Sequence, residues 1–116
     1  MAAIADVSFR VGETWRLDPT MHDSCGAVLD ISAAAVKWRL ALNGVTLIQL
    51  TIGAGIVLVG DGTTGECTIT LTPAQQASLN IVAGFYQHEC QVVLADGTVT
   101  DQFYGYLQAT PSLFAA

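Results

Sequence analysis

The segment 36–42, which reads Val-Lys-Trp-Arg-Leu-Ala-Leu, has an apolar side chain at every second position. Successive side chains of an extended strand point to opposite faces, so Trp38 and Leu40 share one face while Lys37 and Arg39 share the other. A helix would scatter the same residues around its axis. The segment therefore predicts a half-buried strand of an antiparallel sheet.

The same period of two recurs along most of the chain. Further predicted strands are Val7–Val11, Trp15–Leu17, Thr46–Ile52, Ile56–Val59, Cys67–Leu71, Tyr86–Leu94 and Val99–Gln108. Asn-Gly at 43–44 and Asp-Gly at 61–62 and 96–97 are hairpin-type turn signals between apolar runs. Roughly seven or eight short strands with turns at such intervals predict an all-β sandwich, in a single domain over 1–116.

One segment departs from the strand pattern. Thr72, Pro73 and Gln75 occupy the N-cap, N1 and N3 positions of a capping box, with the proline where its missing N–H costs nothing. We predict one short helix over 73–79 that ends near Asn80 and crosses from one sheet to the next.

The composition indicates which classes of molecule the chain can bind. Lysine and arginine total 4 and aspartate and glutamate total 10, so the net charge of −6 argues against binding to nucleic acid, which needs a basic surface. The chain is 52% hydrophobic and only 12% charged. We therefore expect other proteins, or further copies of the chain, to bury part of its surface.

No segment matches a membrane span or a leader sequence. The longest candidate, 45–59, is interrupted by threonine, glutamine and glycine and falls short of the roughly 20 apolar residues required. The N-terminus lacks the basic and apolar regions of a signal peptide. We expect no membrane partner and a chain that is made and kept in the cytosol until it is released.

The three cysteines, Cys25, Cys67 and Cys90, form no C-x-x-C motif, so a zinc site is not predicted. Cys25, Trp38 and Cys90 approximate the Cys-Trp-Cys spacing of immunoglobulin domains, which keeps a disulfide open as an alternative. Cys25 lies in a turn-like cluster rather than in a strand. We favour free thiols, with Cys67 and Cys90 acting as small core residues.

Other residues that could support catalysis or bind a metal have simpler structural explanations. The run His-Asp-Ser-Cys at 22–25 contains a nucleophile and a base, but adjacent side chains rarely face one another, so we predict a polar turn. His88 shares a face with Tyr86 and Cys90, which favours a core or interface histidine. The segment 61–66 is too short and too poor in carboxylates for an EF-hand, and we predict a tight turn. We predict no catalytic residue, no metal and no cofactor.

The last strand and the chain ends provide the predicted protein interface. Tyr104 and Tyr106 fall on the opposite face from Phe103 and Leu107, so one of these pairs faces outward. The N-terminal strand, Ile4–Arg10, is a candidate for exchange with another chain or for addition to its sheet. The predicted interface residues are Ile4, Val7, Phe9, Tyr104, Tyr106 and Phe114. A sugar-stacking platform at the two tyrosines is the alternative.

The order of short motifs resembles a known family. The motifs lie at Gly12–Leu17, Val28–Ser32, Val36–Leu40, Gly65–Gln75, Gly84–Tyr86 and Asp96–Val99. Nearly the whole chain resembles the small immunoglobulin-like domains of phage and prophage structural proteins, and is similar to the N-terminal domain of BppU-type baseplate upper proteins. These motifs are turn glycines, a strand tryptophan and a helix start, so the resemblance is structural rather than chemical.

The resemblance implies an immunoglobulin-like sandwich that docks onto other virion proteins, often as a symmetric homo-oligomer. Baseplate proteins of that type continue into a long C-terminal part, whereas this sequence stops soon after its last strand. We therefore expect a capsid-decorating protein or a small tail, baseplate or connector component. It would be assembled in the cytoplasm of a bacterial host and become part of the virion. A carbohydrate-binding or adhesion module is the alternative.

Overall fold

A computed structural model describes residues 3–111 of the chain. The strands are β1 (Ala3–Ile4), β2 (Val7–Arg10), β3 (Trp15–Leu17), β4 (Ala35–Leu42), β5 (Val45–Ile52), β6 (Gly55–Leu58), β7 (Cys67–Leu71), β8 (Gly84–Val93) and β9 (Val99–Thr110). The helix α1 (Pro73–Ser78) lies between β7 and β8. Every predicted strand and the predicted helix are present, and their observed ends differ from the predicted ones by a few residues.

The first layer has the strand order β9-β8-β4-β5, and all its pairs are antiparallel. β4 and β5 meet in the predicted two-residue turn, where Asn43 and Gly44 have φ of 51° and 79°, as a type I′ turn requires. Trp38 and Leu40 point inward, each opposite a buried residue of β8. The alternation in segment 36–42 is therefore the pattern of a half-buried strand.

The second layer has the order β6-β7-β3, and the chain enters it through a sharp corner after β5. At that corner Thr51 and Ile52 pair in parallel with Gly55 and Ile56, so the two layers stay joined along one side. A Cβ on Gly55 would lie 2.7 Å from a methyl carbon of Leu50. Gly55 also has φ of 101°, a conformation that other residues rarely adopt, so the corner over β5 favours glycine.

The strand order within the layers is that of immunoglobulin domains, with B-E-D represented by β3-β7-β6 and G-F-C-C′ by β9-β8-β4-β5. The prediction of an all-β sandwich with one short helix is confirmed. Two details differ from it. The N-terminal segment forms two short strands rather than one, and both run parallel to β9. The β5–β6 corner adds a third parallel pairing.

The core is built around two stacked indoles that join the layers. Trp15 of β3 and Trp38 of β4 have ring centroids 5.1 Å apart. All three cysteines are unpaired, as we favoured, with Cys25 exposed and Cys67 and Cys90 buried. Burial raises the pKa of the Cys67 thiol to about 11 and raises that of Cys90 as well. In immunoglobulin domains a disulfide packs against a tryptophan at the centre of the core. In this chain the Trp15–Trp38 pair takes that central place.

Two sets of polar contacts hold the helix α1, where the chain crosses from the second layer to the first. Thr72 and Gln75 form the predicted capping box at the start of α1. Gln76 is buried, and its side chain accepts from the N–H of Gly12 (2.9 Å) and donates to the carbonyl of Glu13 (2.6 Å). The helix is therefore attached to the loop between β2 and β3.

At the start of β8, the hydroxyl of buried Tyr86 accepts from the N–H of Val82 (3.1 Å) and donates to its carbonyl (2.9 Å). This contact corresponds to the tyrosine corner of immunoglobulin-like domains. It secures the loop that leads from α1 into the first layer.

Candidate protein-docking face

The two tyrosines of β9 lie on the outer face of the first layer. Tyr104 is 47% exposed and Tyr106 is 56% exposed, whereas Phe103 and Leu107 are buried in the core. The strand pairs with β8 over most of its length, which fixes this alternation. The outward-facing pair is therefore the tyrosines.

Two more apolar side chains extend this surface. Ile4 is paired with Tyr104 in the sheet and is 71% exposed. The exposed ring of Phe85, on β8, packs edge-on against Tyr106 with centroids 6.3 Å apart. We call Ile4, Phe85, Tyr104 and Tyr106 the aromatic face. All but Phe85 line a shallow groove of about 760 Å³.

Charged side chains form the other wall of the groove. Arg39 and Glu89 lie opposite one another on β4 and β8, and the Arg39 Nε donates to the Gln49 Oε1 at 2.6 Å. A hydrogen bond with Asp101, together with burial and the charge of Asp101, raises the pKa of Glu89. The Oδ1 atom of Asp101 is buried and has no hydrogen-bond partner among residues 3–111. The groove itself thus combines apolar rings with the Arg39 cation and the carboxyl groups of Glu89 and Asp6.

Val7 and Phe9 face inward. Phe9 is 4% exposed and lies in the core, and Val7 is half-buried against it. The reason is register: β2 pairs with β9 so that Val7 is level with Leu107 and Phe9 with Ala109, both of which point inward. Neither residue belongs to the outer face of this chain. Phe114 lies outside the described residues.

A buried histidine connects the N-terminal segment to the core. His88 Nδ1 accepts from the indole N–H of Trp38 at 3.1 Å, and His88 Nε2 lies 2.5 Å from the carbonyl oxygen of Ala5. Because Nδ1 accepts, Nε2 carries the proton and donates to Ala5, so the ring is neutral. Burial lowers the pKa of His88, against the smaller opposing effects of the Ala5 contact and Asp6. The buried ring agrees with the prediction of a core or interface histidine.

The segment between β1 and β2 fits closely over β9. The Ala5 N–H donates to the Tyr104 carbonyl at 2.8 Å, and the Tyr106 N–H donates to the Asp6 carboxylate at 3.0 Å. A Cβ on Gly105 would lie 2.6 Å from the Ala5 carbonyl oxygen. These contacts hold Ile4 at the end of the aromatic face.

The other candidate segments form turns. The Asp23 carboxylate accepts from the backbone N–H groups of Cys25 and Ala27, both at 2.9 Å. The Asp61 carboxylate accepts from the backbone N–H of Thr63 at 3.1 Å and from its hydroxyl at 2.7 Å. In both places the carboxylate caps its own turn, which agrees with the predicted polar and tight turns.

The sequence prediction missed Phe85 and the hydrogen bond between the Glu89 and Asp101 side chains. The predicted strand began at Tyr86, whereas β8 begins at Gly84 and pairs Phe85 with Gln108. An alternation traced one residue further back would have placed Phe85 on the outer face. The approach of the two carboxyl groups depends on a register shift between Cys90 and Gln91, for which the sequence carries no signal.

No family model matches the chain, and no curated protein matches it significantly in sequence. The six-residue α1, the one helix found in residues 3–111, is too short to span a membrane. The same residues contain no group of three or more His, Cys, Asp or Glu side chains placed to hold a metal ion.

Proposed function

We propose that the chain is a non-enzymatic structural module of a phage or prophage virion, acting through protein–protein contacts. It would serve in capsid decoration or as a small tail, baseplate or connector component, assembled in the cytoplasm of a bacterial host. The aromatic face is the surface that docks onto another virion protein.

The observation that supports this proposal best is the composition of the aromatic face. Three exposed aromatic rings and Ile4 lie together, and Arg39 and Glu89 stand beside them. Protein interfaces characteristically combine a centre of aromatic residues with a polar rim that includes arginine. Exposed aromatic side chains so close together are otherwise uncommon on a monomer.

The class of protein is supported by the sequence. The resemblance to small domains of phage structural proteins covers nearly the whole chain, and the acidic composition disfavours nucleic acid as the partner. The carboxylates of Asp23 and Asp61 are occupied by turn hydrogen bonds, which are structural roles. The proposal therefore assigns binding, rather than chemistry, to the exposed face.

The test is co-sedimentation of the tagged chain with particles of the phage or prophage that encodes it, with heads and tails separated on a gradient. We expect the wild-type chain to travel with one of them. Replacing both Tyr104 and Tyr106 by alanine is expected to weaken binding roughly thirtyfold or more, since one central aromatic residue contributes about 2 kcal/mol or more to such interfaces and the two losses need not add.

Val99→Ala is the matched control, because Val99 is 58% exposed on the same strand but lies away from the aromatic face. It is expected to bind like the wild type. A chain that travels with neither heads nor tails, or a double tyrosine variant that binds normally, would contradict the proposal.

A carbohydrate-binding or adhesion module is the second candidate, favoured by two exposed tyrosine rings beside carboxyl groups in an open groove. A glycan array separates the two functions. Glycan binding that disappears in the double tyrosine variant would replace the virion-docking proposal for this face. We favour protein docking because Phe85 packs against Tyr106 and widens the apolar area beyond a single sugar platform.

A further inference from the structure

The strand β5 has an open edge. β4 pairs with it between Val45 and Thr51, whereas on the opposite edge β6 pairs with Thr51 and Ile52 alone. Within residues 3–111, no other strand approaches the segment Val45–Leu50. The outward-pointing backbone groups of such an edge can template a strand from another chain.

Two other edges of the sandwich carry protecting features. β1 and β2 cover the outer edge of β9. At the edge strand β3, Arg16 and Asp18 form an ion pair at 3.0 Å. Charged side chains, proline, β-bulges and covering segments are the usual devices that keep sheet edges from pairing with other chains, and of these β5 has only a bulge.

β5 lacks charge and proline. No charged residue, histidine or proline occurs anywhere from Leu40 to Gly60. A bulge at Leu47 is the one irregularity, and Leu47 and Ile48 are both half-buried against the core. Val45, at the start of the strand, is 65% exposed. The edge therefore combines open backbone with apolar side chains that a single sandwich leaves partly uncovered.

We propose that β5 of a second copy of this chain pairs antiparallel along this edge. The first layers of the two copies would then join into one continuous sheet across a twofold axis. An open strand edge is complementary to itself, because every residue offers both a donor and an acceptor, and a twofold contact requires such self-complementarity.

The charge distribution favours a second copy over a partner of different chemistry. The chain has a net charge of −6, and none of its ten carboxylates lies between residues 40 and 60. A basic partner would be attracted to the acidic surfaces elsewhere, whereas a like-charged copy meets the least repulsion here. The nearest cations, Lys37 and Arg39, lie on β4. The two copies of Arg39 would be about three strand spacings, or roughly 14 Å, apart and largely screened by salt.

The experiment measures the mass of the purified chain by light scattering and sedimentation, from about 1 μM to about 1 mM. We expect a dimer, with backbone amides in the segment 45–50 becoming slower to exchange hydrogen as concentration rises. Val45→Lys is expected to weaken dimerisation at least tenfold, because both copies then bring a charge to the seam. The lysine can reach water in the monomer, so the sandwich is expected to fold.

Val99→Lys is the control, since it adds the same charge at a similarly exposed valine of β9. A chain that stays monomeric at about 1 mM, a dimer that survives Val45→Lys, equal weakening by Val99→Lys, or an open-ended polymer would each overturn the proposal. The inference does not rest on a role in the virion. The mass is measured without particles, so this proposal and the virion proposal can fail separately.

Discussion

Replacing His88 by phenylalanine tests the link between the N-terminal segment and the core. The His88 ring lies 6.1 Å from the Trp38 ring and 5.6 Å from the Phe103 ring, centroid to centroid. Phenylalanine keeps an aromatic ring beside Trp38 and Phe103, although this ring is somewhat larger than imidazole. It removes the hydrogen bonds to the Trp38 indole and to the Ala5 carbonyl. The substitution thus removes the polar contacts while an aromatic ring stays in the core.

The expected loss of stability comes from the two groups that lose their hydrogen-bond partner, the Trp38 indole N–H and the Ala5 carbonyl. The Trp38 indole N–H is fully buried, and the imidazole is its one hydrogen-bond partner within residues 3–111. An unsatisfied buried donor or acceptor costs about 1–3 kcal/mol. For the two groups together we expect a loss of about 2–4 kcal/mol in the free energy of unfolding, since Ala5 can regain some water. The melting temperature would fall by roughly 8–16 °C.

The same variant changes how stability depends on pH. The pKa of His88 in the folded chain lies below the ordinary value of 6.5, so the unfolded chain binds the proton more readily. The stabilisation from neutral His88 is therefore complete above pH 6.5 and is lost as the pH falls from 6.5 through the lowered pKa. His88→Phe should lack this loss. The two proteins differ only at position 88, so the difference between the two curves reports on His88.

The assay is urea denaturation of the wild type and His88→Phe at several pH values between about 5 and 7.5. His22→Gln is the control, because His22 is the other histidine and its side chain is exposed. It should keep the slope of the wild type. A His88→Phe protein within about 0.5 kcal/mol of the wild type, or one with an unchanged slope, would show that the hydrogen bonds do not stabilise the fold as argued.

One further substitution and one labelling experiment test other features of the fold. Gly105→Ala is expected to push the Ala5 backbone away from β9 and to lower the free energy of unfolding by about 1–3 kcal/mol, as measured by denaturation. Amide hydrogens of β1 and β2 should also exchange faster. Unchanged exchange in these two strands would contradict this prediction. A thiol reagent at neutral pH should label Cys25 alone in the folded chain and all three cysteines in denaturant, because burial raises the pKa of Cys67 and Cys90. Rapid labelling of more than one thiol in the folded chain would show that the core opens easily.

The strands were predictable because their signal is local. A period of two, a type I′ dipeptide at 43–44 and a capping box at Thr72 each depend on residues close in sequence. Tyr104 and Tyr106 could be assigned to one face for the same reason. The sequence alone left open which face is outward, since both contain aromatic residues. Pairing with β8 decides it by turning Phe103 and Leu107 into the core.

The remaining features depend on contacts between distant segments. His88 and Ala5 are 83 residues apart, and their hydrogen bond exists because β1 and β2 lie parallel on β9. The alternation in 7–11 placed Val7 and Phe9 on one face, but only the pairing with β9 shows that this face is the inner one. The open edge of β5 likewise depends on where the chain leaves for β6, a corner that periodicity does not reveal.

The two proposed surfaces are compatible in space, and their combination has a consequence for binding. An antiparallel strand added to a sheet keeps the same sides facing outward, because its twofold axis is perpendicular to the sheet. Pairing through β5 would therefore place both aromatic faces on one side of the joined sheet, separated by the strands β4 and β5 of each copy. A repetitive surface could then engage both at once, and linked binding exceeds that of either face alone when the spacing fits. Val45→Lys, which leaves the aromatic face intact, should for this reason bind particles more weakly than the wild type; equal binding would show that each copy docks by itself.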